Sequence, residues 1–475
     1  MREARFFNTL GRRLEPLVTV EPGQVRIYTC GPTVYNHVHI GNLRTFLFED
    51  LLRRSLEYLG WRVTQVMNLT DVDDKTIRGA QEKGVALDDY TAPYIESFFG
   101  DLDALHVERA EQYPRATRHV PEMIALTERL MRAGVAYENE GSVWFRIAAD
   151  PGYGKLSGID LEQVQRGERV ASDEYGKEDV RDFVLWKGAK PGEPQWDSPW
   201  GPGRPGWHIE CSAMSMKYLG ETFDIHCGGV DNMFPHHENE IAQSECATGH
   251  PFATMWLHSE HLIVEGQKMA KSLGNFFTLK DLVAQGRDPR AIRYLLLSVH
   301  YRQKLNFTFE ALDAAAVALQ RVDDLRFRVE HAAESGDARG DVAELAATLQ
   351  EETAAALADD LNSSGALGAL FKFVKAVNVA VDEGRIGAGD RARVVEALGA
   401  VDRVFGVLDA TQWRRDDHGG PTDAEIDGLL DERRAARKNR DFARADAIRD
   451  QLTAMGIVLE DTPAGTRWKR GKAAS

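Results

Sequence analysis

The segment 25–52 constrains the fold more than any other part of the chain. An apolar run, Val25 to Cys30, leads into a turn that contains His39, Gly41 and Asn42, and an amphipathic helical pattern follows from Leu43. A strand that passes through such a turn into a helix opens a βαβ unit. Because the N-terminus of a helix offers unpaired N–H groups and a positive dipole end, the turn is a candidate anion site.

Later segments extend the same pattern. Residues 61–67 form a second candidate strand with a polar loop behind it, 223–227 a third, and 256–264 a further one, while a helix is expected over 235–248. Strands that alternate with helices predict an α/β fold with a Rossmann-like parallel sheet. Ligands of such sheets bind at the carboxyl ends of the strands, where the strand order reverses.

With 475 residues the chain is too long for one ordinary core. We expect an α/β domain over 1–300 that carries an insertion at about 76–200, and an Ala- and Leu-rich helical bundle over 301–410. A glycine- and proline-containing linker is expected over 411–422, and a small C-terminal domain over 423–475. The function of the insertion is not indicated by its sequence.

Two further motifs follow the turn in a fixed order. Gly228 and Gly229 lie beside Asp231, and Lys268 and Lys271 flank a short Met-Ala pair. Each is weak alone, since most lysine pairs are simply solvated and short motifs carry a known false-positive risk. Their joint occurrence after a strand–turn–helix segment in the sequence favours a binding site for a nucleoside triphosphate such as ATP.

A third group of residues has the chemistry of a metal site. His236 and Glu240 are four residues apart, so a helix would present both on one face. With Cys30 and Cys211 they form a set of thiolate, imidazole and carboxylate ligands that suits Zn²⁺. The separation of 181 residues between the two cysteines matches no local zinc signature. On spacing alone, buried structural cysteines remain the better explanation.

Composition limits the classes of function. The cysteines are sparse, at positions 30, 211, 227 and 246, which argues against a disulfide framework. A net charge of −16 is unfavourable for a nucleic-acid binder, although residues 423–475 hold 11 Lys/Arg against 10 Asp/Glu. Any RNA contact would therefore use local basic surface. Neither a signal-like segment nor an apolar run of about 18 residues is present, so we expect a cytoplasmic protein without membrane contact.

The two outer motifs resemble the His-Ile-Gly-His and Lys-Met-Ser-Lys-Ser signatures of class I aminoacyl-tRNA synthetases. Asn42 stands in place of the second histidine, where it keeps a donor for phosphate, and Ala270 replaces the serine. The resemblance is closest to the cysteinyl-tRNA synthetase family and extends from about residue 5 to about residue 470. The segments that carry this narrower match are 28–35, 68–75, 206–214 and 234–240.

The resemblance implies an ATP-dependent ligase that activates L-cysteine to cysteinyl-adenylate, with Mg²⁺ accompanying ATP, and transfers it to tRNA(Cys). It implies one Zn²⁺ per chain on Cys30, Cys211, His236 and Glu240, which would select the substrate thiolate over a hydroxyl. It assigns the catalytic residues as His39, Asn42, Lys268 and Lys271, the ATP-binding residues as these four with Gly41 and Asp231, and the cysteine-binding residues as Thr70, Trp207 and Asp231.

The same resemblance makes the C-terminal domain an anticodon-binding domain whose RNA contacts are Arg437, Phe442, Asp446, Arg449 and Asp461. Such side chains can contact base edges or stack on unpaired bases. A pair of amphipathic helices with solvated charges is an equally good explanation for any one of them.

Alternatives to a tRNA ligase remain at this stage. A related ligase joins activated cysteine to an amino-sugar inositol, but it lacks a C-terminal anticodon domain, and a non-catalytic paralogue would not need every signature residue. His237 is either a support for the metal ligands or a packed core histidine, and Cys227 and Cys246 are expected to be core residues. We expect a monomer.

Overall fold

The computed structural model describes residues 1–159, 181–332, 341–413, 423–462 and 465–470. The chain divides into two compact units, Met1–Asp409 and Ala410–Ser475. The described strands are, in chain order, β1 (Arg5–Asn8), β2 (Arg13–Pro16), β3 (Gln24–Thr29), β4 (Arg62–Met67), β5 (Ala136–Asn139), β6 (Ser142–Phe145), β7 (Phe183–Gly188), β8 (Gly203–Pro205), β9 (Phe223–Gly229), β10 (Ala253–Ser259), β11 (Leu262–Val264), β12 (Gln267–Lys268), β13 (Leu305–Phe307), β14 (Ile457–Thr462) and β15 (Gly465–Arg470).

The described α-helices begin and end as follows: α1 (Ile40–Tyr58), α2 (Asp74–Lys83), α3 (Leu87–Ala104), α4 (Val120–Arg132), α5 (Trp207–Leu219), α6 (Glu238–Thr248), α7 (Leu279–Ala284), α8 (Pro289–Ser298), α9 (Phe309–Glu330), α10 (Asp341–Ala358), α11 (Ser363–Asp382), α12 (Asp390–Phe405), α13 (Asp423–Lys438) and α14 (Phe442–Ala454).

The larger unit is built on a parallel sheet with the strand order β10-β9-β3-β4. Helix α1 connects β3 to its neighbour β4, and the chain then returns on the other side of β3 to form β9. The strand order therefore reverses at β3, as the α/β pattern predicts. The carboxyl ends of β3, β4 and β9 meet at this point, which is the expected ligand position of an open parallel sheet.

Both faces of the sheet are covered. Ile225 and Cys227 of β9 pack with Phe48 and Leu52 of α1, whereas Phe223 belongs to a cluster on the opposite face together with Cys211 of α5. Every residue of β9 is buried. Because a strand covered on two faces has no solvent side, its polar residues Asp224 and His226 are buried as well.

The insertion predicted between β4 and β9 consists of α2, α3, α4 and an antiparallel sheet of order β5-β6-β7-β8, with residues 160–180 outside the described part. Its buried side chains share one core with α5, including Met123, Trp186 and Met214. The insertion therefore supports the helix that carries Cys211.

Two elements differ from the sequence-based expectation. The helix expected from Pro235 begins only at Glu238, because Phe234 has extended backbone dihedrals and the turn over Met233–His237 is wider than an α-helix. The strand expected over 256–264 is two strands. After β10 the chain leaves the parallel sheet, and β11 pairs instead with β12 and β13. The backbone between β10 and β11 is held by Arg44, whose guanidinium donates to the carbonyl of Glu260.

Helices α9 to α12 form the predicted bundle. Asp288 caps the N-terminus of α8 by accepting from the N–H of Arg290, and Pro289 is the first residue of that helix, as predicted. One described helix, α11, has the length and mean hydropathy of a membrane span. Its apolar side, with Leu370 and Phe373, is buried in the bundle, which is the behaviour of a core helix.

The smaller unit contains α13, α14 and the antiparallel hairpin β14–β15. Its core is a small apolar cluster made of Ile426, Leu430, Ile448, Leu452 and Ile457. Of the predicted linker 411–422, residues 411–413 belong to a short 3₁₀ helix, and 414–422 lie outside the described residues.

Candidate active site

A cavity of about 380 Å³ opens at the carboxyl ends of β3, β4 and β9. It brings together most of the side chains that the sequence motifs singled out. Those on its wall are Cys30, His39, Asn42, Thr70, Trp207, Cys211, Asp231, His236 and Lys271. Gly41, Glu240 and Lys268 are not on its wall.

His39 and Asn42 fold the predicted anion turn. The Nδ1 atom of His39 accepts from the N–H groups of Gly41 and Asn42 at 3.1 and 3.2 Å, and Oδ1 of Asn42 accepts from the N–H of His39 at 3.2 Å. Burial lowers the pKa of His39, which favours the neutral ring that can accept. Asn42 also lines the cavity, so one residue both completes the helix cap and lies on the cavity wall.

Gly41 is needed for space rather than for backbone freedom. A Cβ atom at this position would lie 2.9 Å from the ring of His39 and 3.2 Å from Met269. The latter contact brings the two signature segments together at the start of α1.

The two lysines occupy different positions. Lys271 lines the cavity, with Nζ 5.2 Å from the ring centroid of Phe276, and that ring packs edge-on against His39. Lys268 lies on β12 and is exposed. The loop between them is closed by Asn275, which accepts from the N–H of Ala270 at 2.8 Å and donates to the carbonyl of Lys268 at 3.2 Å. Sequence reasoning did not identify Asn275, because a loop asparagine carries no signal of its partner.

The four predicted metal ligands converge. Their ligand atoms lie within 4.8 Å of one another, and all four residues are buried. The Nε2 atom of His236 is 3.1 Å from Oε1 of Glu240, while Sγ of Cys30 is 4.0 Å from Sγ of Cys211 and 3.9 Å from the same carboxylate oxygen. Two thiols, an imidazole and a carboxylate form a donor set that suits Zn²⁺.

Burial strongly disfavours charge in this cluster. It raises the pKa of Cys30 and of Glu240 well above their ordinary values and lowers the pKa of His236 well below its own. A neutral imidazole is the form that binds a metal, whereas thiol and carboxyl must lose their protons to do so. A divalent cation is the kind of ligand that would keep the thiol and carboxyl groups ionised here.

A second set of possible ligands overlaps the first. Cys30 and Glu240 are shared, and His226 and His237 complete it, again within 4.8 Å. The Nε2 atom of His237 is 3.3 Å from Sγ of Cys30, and Nε2 of His226 is 2.9 Å from Oε2 of Glu240. Unlike Cys211 and His236, these two histidines are not on the cavity wall.

The histidines extend into a buried network. Nδ1 of His236 is 2.9 Å from Nδ1 of His208, and Nδ1 of His237 is 2.8 Å from Nε2 of His258. Burial lowers the pKa of His208, His226 and His258 to about 3. The sequence analysis missed all three as members of the site. His208 lies in 206–214, one of the segments that carry the family resemblance, and could have been considered. Nothing in the sequence places His226 or His258 beside Glu240.

The three predicted cysteine-binding residues all line the cavity. Trp207 stacks on His236, with ring centroids 4.3 Å apart, and remains 40% exposed. Thr70 is buried and donates its hydroxyl hydrogen to Glu210. Asp231 is exposed at the end of β9. Aromatic, hydroxyl and carboxylate groups thus line the same cavity as Cys30 and Cys211.

In the smaller unit, four of the five residues predicted to contact RNA lie on exposed helix positions. Phe442 is the first residue of α14 and is 62% exposed. Arg449 lies 3.5 Å from Asp446, and Arg437 lies in the last turn of α13. Asp461 is on β14, opposite Thr466, and its side chain is outside the described part.

Comparison with known proteins gives three family matches. Residues 16–317 match the tRNA synthetases class I (C) catalytic domain, 353–409 match the DALR domain, and 420–468 match the cysteinyl-tRNA ligase anticodon binding domain. Among solved structures, methionyl-tRNA synthetase of Mycobacterium tuberculosis with bound methionyl-adenylate is similar with a TM-score of 0.58 at 14% identity, covering 81% of this chain and 92% of that one. This likeness shows the fold.

Curated relatives cover nearly the whole chain. Cysteine–tRNA ligase of Solibacter usitatus (strain Ellin6076) is 51% identical over 466 residues, which is 98% of this chain and 99% of the relative. Cysteine–tRNA ligase of Leptospira interrogans serogroup Icterohaemorrhagiae serovar Lai (strain 56601) is 48% identical over 477 residues, covering 99% and 100%. These matches confirm the resemblance drawn from the motifs, and the chain belongs to the cysteine–tRNA ligase family of class I aminoacyl-tRNA synthetases.

Proposed function

We propose that the cavity at the carboxyl ends of β3, β4 and β9 is where this ligase forms cysteinyl-adenylate. The observation that carries the proposal is the meeting of the anion turn, Lys271 and the thiol cluster on the wall of one cavity. An oxygen of the cysteine carboxylate attacks the α-phosphorus of ATP, the bond to the bridging oxygen breaks, and pyrophosphate leaves with that electron pair. Neither reactant must lose a proton, so alignment and charge stabilisation are the main tasks of the protein.

The ATP half of the site consists of the signature residues. His39 and Asn42 shape a helix N-terminus that faces the triphosphate. Gly41, whose missing Cβ leaves room for the ring of His39, lets the nucleotide approach the backbone. Lys271 is placed to stabilise the phosphates as charge builds up on the leaving group, with Mg²⁺ as the accompanying ion. Lys268 and Asp231 contribute at the margins, to the outer phosphates and to the ribose or the amino group of cysteine.

The cysteine half is bordered by Thr70 and Trp207 and lies against the predicted metal ligands. Bound by Cys30, Cys211, His236 and Glu240, Zn²⁺ supplies a soft Lewis acid that prefers a thiolate to a hydroxyl. We favour this set over the one with His226 and His237 because its members Cys211 and His236 face the cavity. In our proposal His226 and His237 hold Glu240 and Cys30 in place.

In the second step, a terminal ribose hydroxyl of tRNA(Cys) attacks the carbonyl carbon of the adenylate, and AMP leaves.

We propose that the chain consists of a catalytic domain over 1–300, which carries the insertion at about 76–200, a helical bundle over 301–410, a linker over 411–422 and a C-terminal domain over 423–475. The C-terminal domain would bind the anticodon through Arg437, Phe442, Asp446, Arg449 and Asp461. The anticodon-domain match over 420–468 supports this assignment of the C-terminal domain.

We also propose a cytoplasmic monomer without membrane contact, which sedimentation and fractionation would test. The four cysteines are unpaired, in keeping with a reducing compartment.

The deciding experiment measures cysteine-dependent exchange between ATP and pyrophosphate, followed by transfer of labelled cysteine to tRNA(Cys) or to an amino-sugar inositol. We expect exchange with cysteine and transfer to tRNA alone. Exchange without transfer to tRNA, or transfer to the amino sugar, would contradict the proposal.

A further inference from the structure

Two exposed side chains on the cavity wall have no part in the adenylation step proposed above. Tyr35 lies in the loop between β3 and α1, and Lys75 is the second residue of α2. Both line the cavity, and the Nζ atom of Lys75 is 4.9 Å from the ring centroid of Tyr35. Since both side chains are exposed, an aromatic ring and a positive charge stand together where solvent reaches the cavity.

Hydrogen bonds fix the backbone of the loop that carries Tyr35. Its carbonyl accepts from the hydroxyl of Tyr90 in α3 at 3.0 Å, and the N–H of Val34 donates to the carbonyl of Thr70 at 3.1 Å. The second bond ties the loop to a residue that borders the cysteine half of the cavity. Tyr35 therefore lies beside that half, and a ligand could bind there without first ordering the loop.

Exposed Phe, Tyr and Trp rings are few in the larger unit. Among its described residues only Tyr35, Trp207 and Tyr218 are at least 37% exposed, and the first two line the cavity. The ammonium group of Lys75 has no ion-pair partner among the described residues. A ring in contact with water beside such a cation suits a single-stranded nucleic acid, because every base has a face that can stack and every linkage carries a phosphate.

The second step of the reaction brings such a strand to the cavity. A terminal ribose hydroxyl of tRNA(Cys) has to reach the carbonyl carbon of the adenylate, and this carbon belongs to cysteine. The last nucleotides must therefore enter from solvent beside the cysteine half. The other two substrates do not need Tyr35 or Lys75, since the triphosphate is assigned to the anion turn and Lys271, and cysteine to the groups around the thiol cluster.

We propose that Tyr35 and Lys75 bind the single-stranded 3′ end of tRNA(Cys), with a base stacked on the ring of Tyr35 and a backbone phosphate paired with Lys75. The inference rests on the proposed function of the cavity and deepens it, because it names the residues that position the second substrate. Stacking and phosphate contacts carry little sequence information. The pair positions the ribose hydroxyl and does not select the tRNA.

The test compares Tyr35→Leu with Tyr35→Phe, which keeps the ring, and with Lys75→Met. Each variant is assayed for pyrophosphate exchange, for kcat/KM in charging intact tRNA(Cys), and for the Kd of tRNA(Cys) that lacks its last three nucleotides. Tyr218→Leu and Lys83→Met are the matched controls. Tyr218 is also 37% exposed, and Lys83 is another lysine of α2 whose Nζ lies 5.0 Å from a tyrosine ring, but neither is on the cavity wall.

For Tyr35→Leu we expect kcat/KM for charging to fall about tenfold or more, because one base loses its stacking partner. Lys75→Met should lower it as well and should weaken its dependence on salt, because one phosphate contact is lost. Exchange and the Kd of the shortened tRNA should remain those of the unmodified enzyme. Tyr35→Phe should charge tRNA normally, and the two controls should change none of these quantities.

Charging at the normal rate by both Tyr35→Leu and Lys75→Met would overturn the proposal. A fall in exchange equal to the fall in charging would also overturn it, since the pair would then act in adenylation. The same holds if the Kd of the shortened tRNA rises as much as kcat/KM for charging falls, because the lost contact would lie elsewhere on the RNA. Absence of exchange in the unmodified enzyme would instead count against the proposed function of the cavity, which keeps the two failures apart.

Discussion

The Sγ atoms of Cys30 and Cys211 lie 4.0 Å apart, although 181 residues separate them in the chain. One follows the end of β3, and the other is in the second turn of α5, which the core of the insertion supports. Burial is the main cause that raises the pKa of both thiols. The metal site that we propose therefore depends on correct folding of the insertion. Removal of the insertion should affect cysteine selection more than ATP binding.

The first prediction concerns zinc. The purified protein should contain about one zinc per chain, and Cys211→Ser or His236→Ala should lower the zinc content and raise the KM for cysteine far more than that for ATP. The reason is that the substrate thiolate is the group that loses its partner. Discrimination against serine should fall in parallel, toward the factor on the order of 10² that a pocket without a metal achieves. Metal analysis and exchange kinetics check this.

Two further variants separate the overlapping ligand sets. His237→Asn should retain zinc, because in our assignment this residue supports Cys30 without binding the metal. Cys246→Ser should behave as the unmodified enzyme, since Cys246 belongs to neither set. Loss of zinc in His237→Asn with retention in His236→Ala would show that the second set is the metal site.

The second prediction concerns Lys271. Lys271→Ala should lower kcat for pyrophosphate exchange by about 10²-fold or more, as expected for the loss of one contact made chiefly in the transition state. The KM for cysteine should change little, because the thiol cluster is untouched. Lys280→Ala, another exposed lysine in the neighbouring helix α7, is the matched control. Near-normal turnover of Lys271→Ala would place this lysine on the solvated surface.

Local patterns predicted much of the fold. The β3–α1–β4 unit, the Asp288 cap and the helical bundle follow from hydrophobic periodicity and capping residues that lie close together in sequence. The course of residues 233–237 could not be predicted, because it depends on backbone dihedrals that no periodicity encodes. The break between β10 and β11 was also missed, since both β11 and β10 are apolar and only their partners differ.

The candidate site shows the same division. The spacing of four residues between His236 and Glu240 predicts their contact, which is 3.1 Å, although His236 lies in the wider turn that precedes α6. His226 lies on a strand, and its contact with Glu240 at 2.9 Å depends on how α6 packs against β9. The contact of Thr70 with Glu210 likewise joins residues 140 positions apart. Such pairs exist only once the sheet and its covering helices have assembled.

The third prediction concerns a buried ion pair between α1 and α8. Nη2 of Arg293 lies 2.5 Å from Oδ2 of Asp50, and both side chains are fully buried. Burial by itself would raise the pKa of Asp50, but Arg293 and Arg54 outweigh it and lower that pKa. Burial also lowers the pKa of Arg293, although a guanidinium stays charged at neutral pH. Arg293→Met should lower the free energy of unfolding by about 3–5 kcal/mol at neutral pH, because it leaves a buried carboxylate short of a partner.

The pH dependence of this effect has a definite sign. A carboxylate whose pKa is lower in the folded state contributes stability above its unfolded pKa of about 3.9, and this contribution is lost as the pH falls through the folded value. In Arg293→Met the burial of Asp50 is less compensated and raises the pKa of this carboxyl. The penalty should therefore be constant between about pH 6 and 8 and should shrink near pH 4, where Asp50 of the variant is protonated while that of the unmodified protein is still ionised. Urea unfolding at both pH values measures it. Arg109→Met, which breaks an exposed pair with Asp103, should cost at most about 1 kcal/mol.

The fourth prediction tests the C-terminal unit. Met1–Asp409 is compact by itself and contains the cavity residues, so a chain that ends near Pro421 should still form cysteinyl-adenylate. Transfer to tRNA(Cys) should fall steeply through a higher KM, because the removed unit holds the candidate base-contacting residues. In the full-length protein, Phe442→Ala should raise the KM for tRNA without affecting exchange, and Met455→Ala, which also alters an exposed apolar side chain of this unit, is its control.

Salt dependence distinguishes RNA binding by this unit from a purely structural role. Contacts to phosphate release counterions on binding, so the KM of the full-length enzyme for tRNA should rise as salt is added, while exchange changes much less. The truncated chain should show a weaker salt dependence, because the basic residues of α13, α14 and β15 are gone. If it charges tRNA as well as the intact protein does, and with the same salt slope, residues 423–475 do not bind the anticodon.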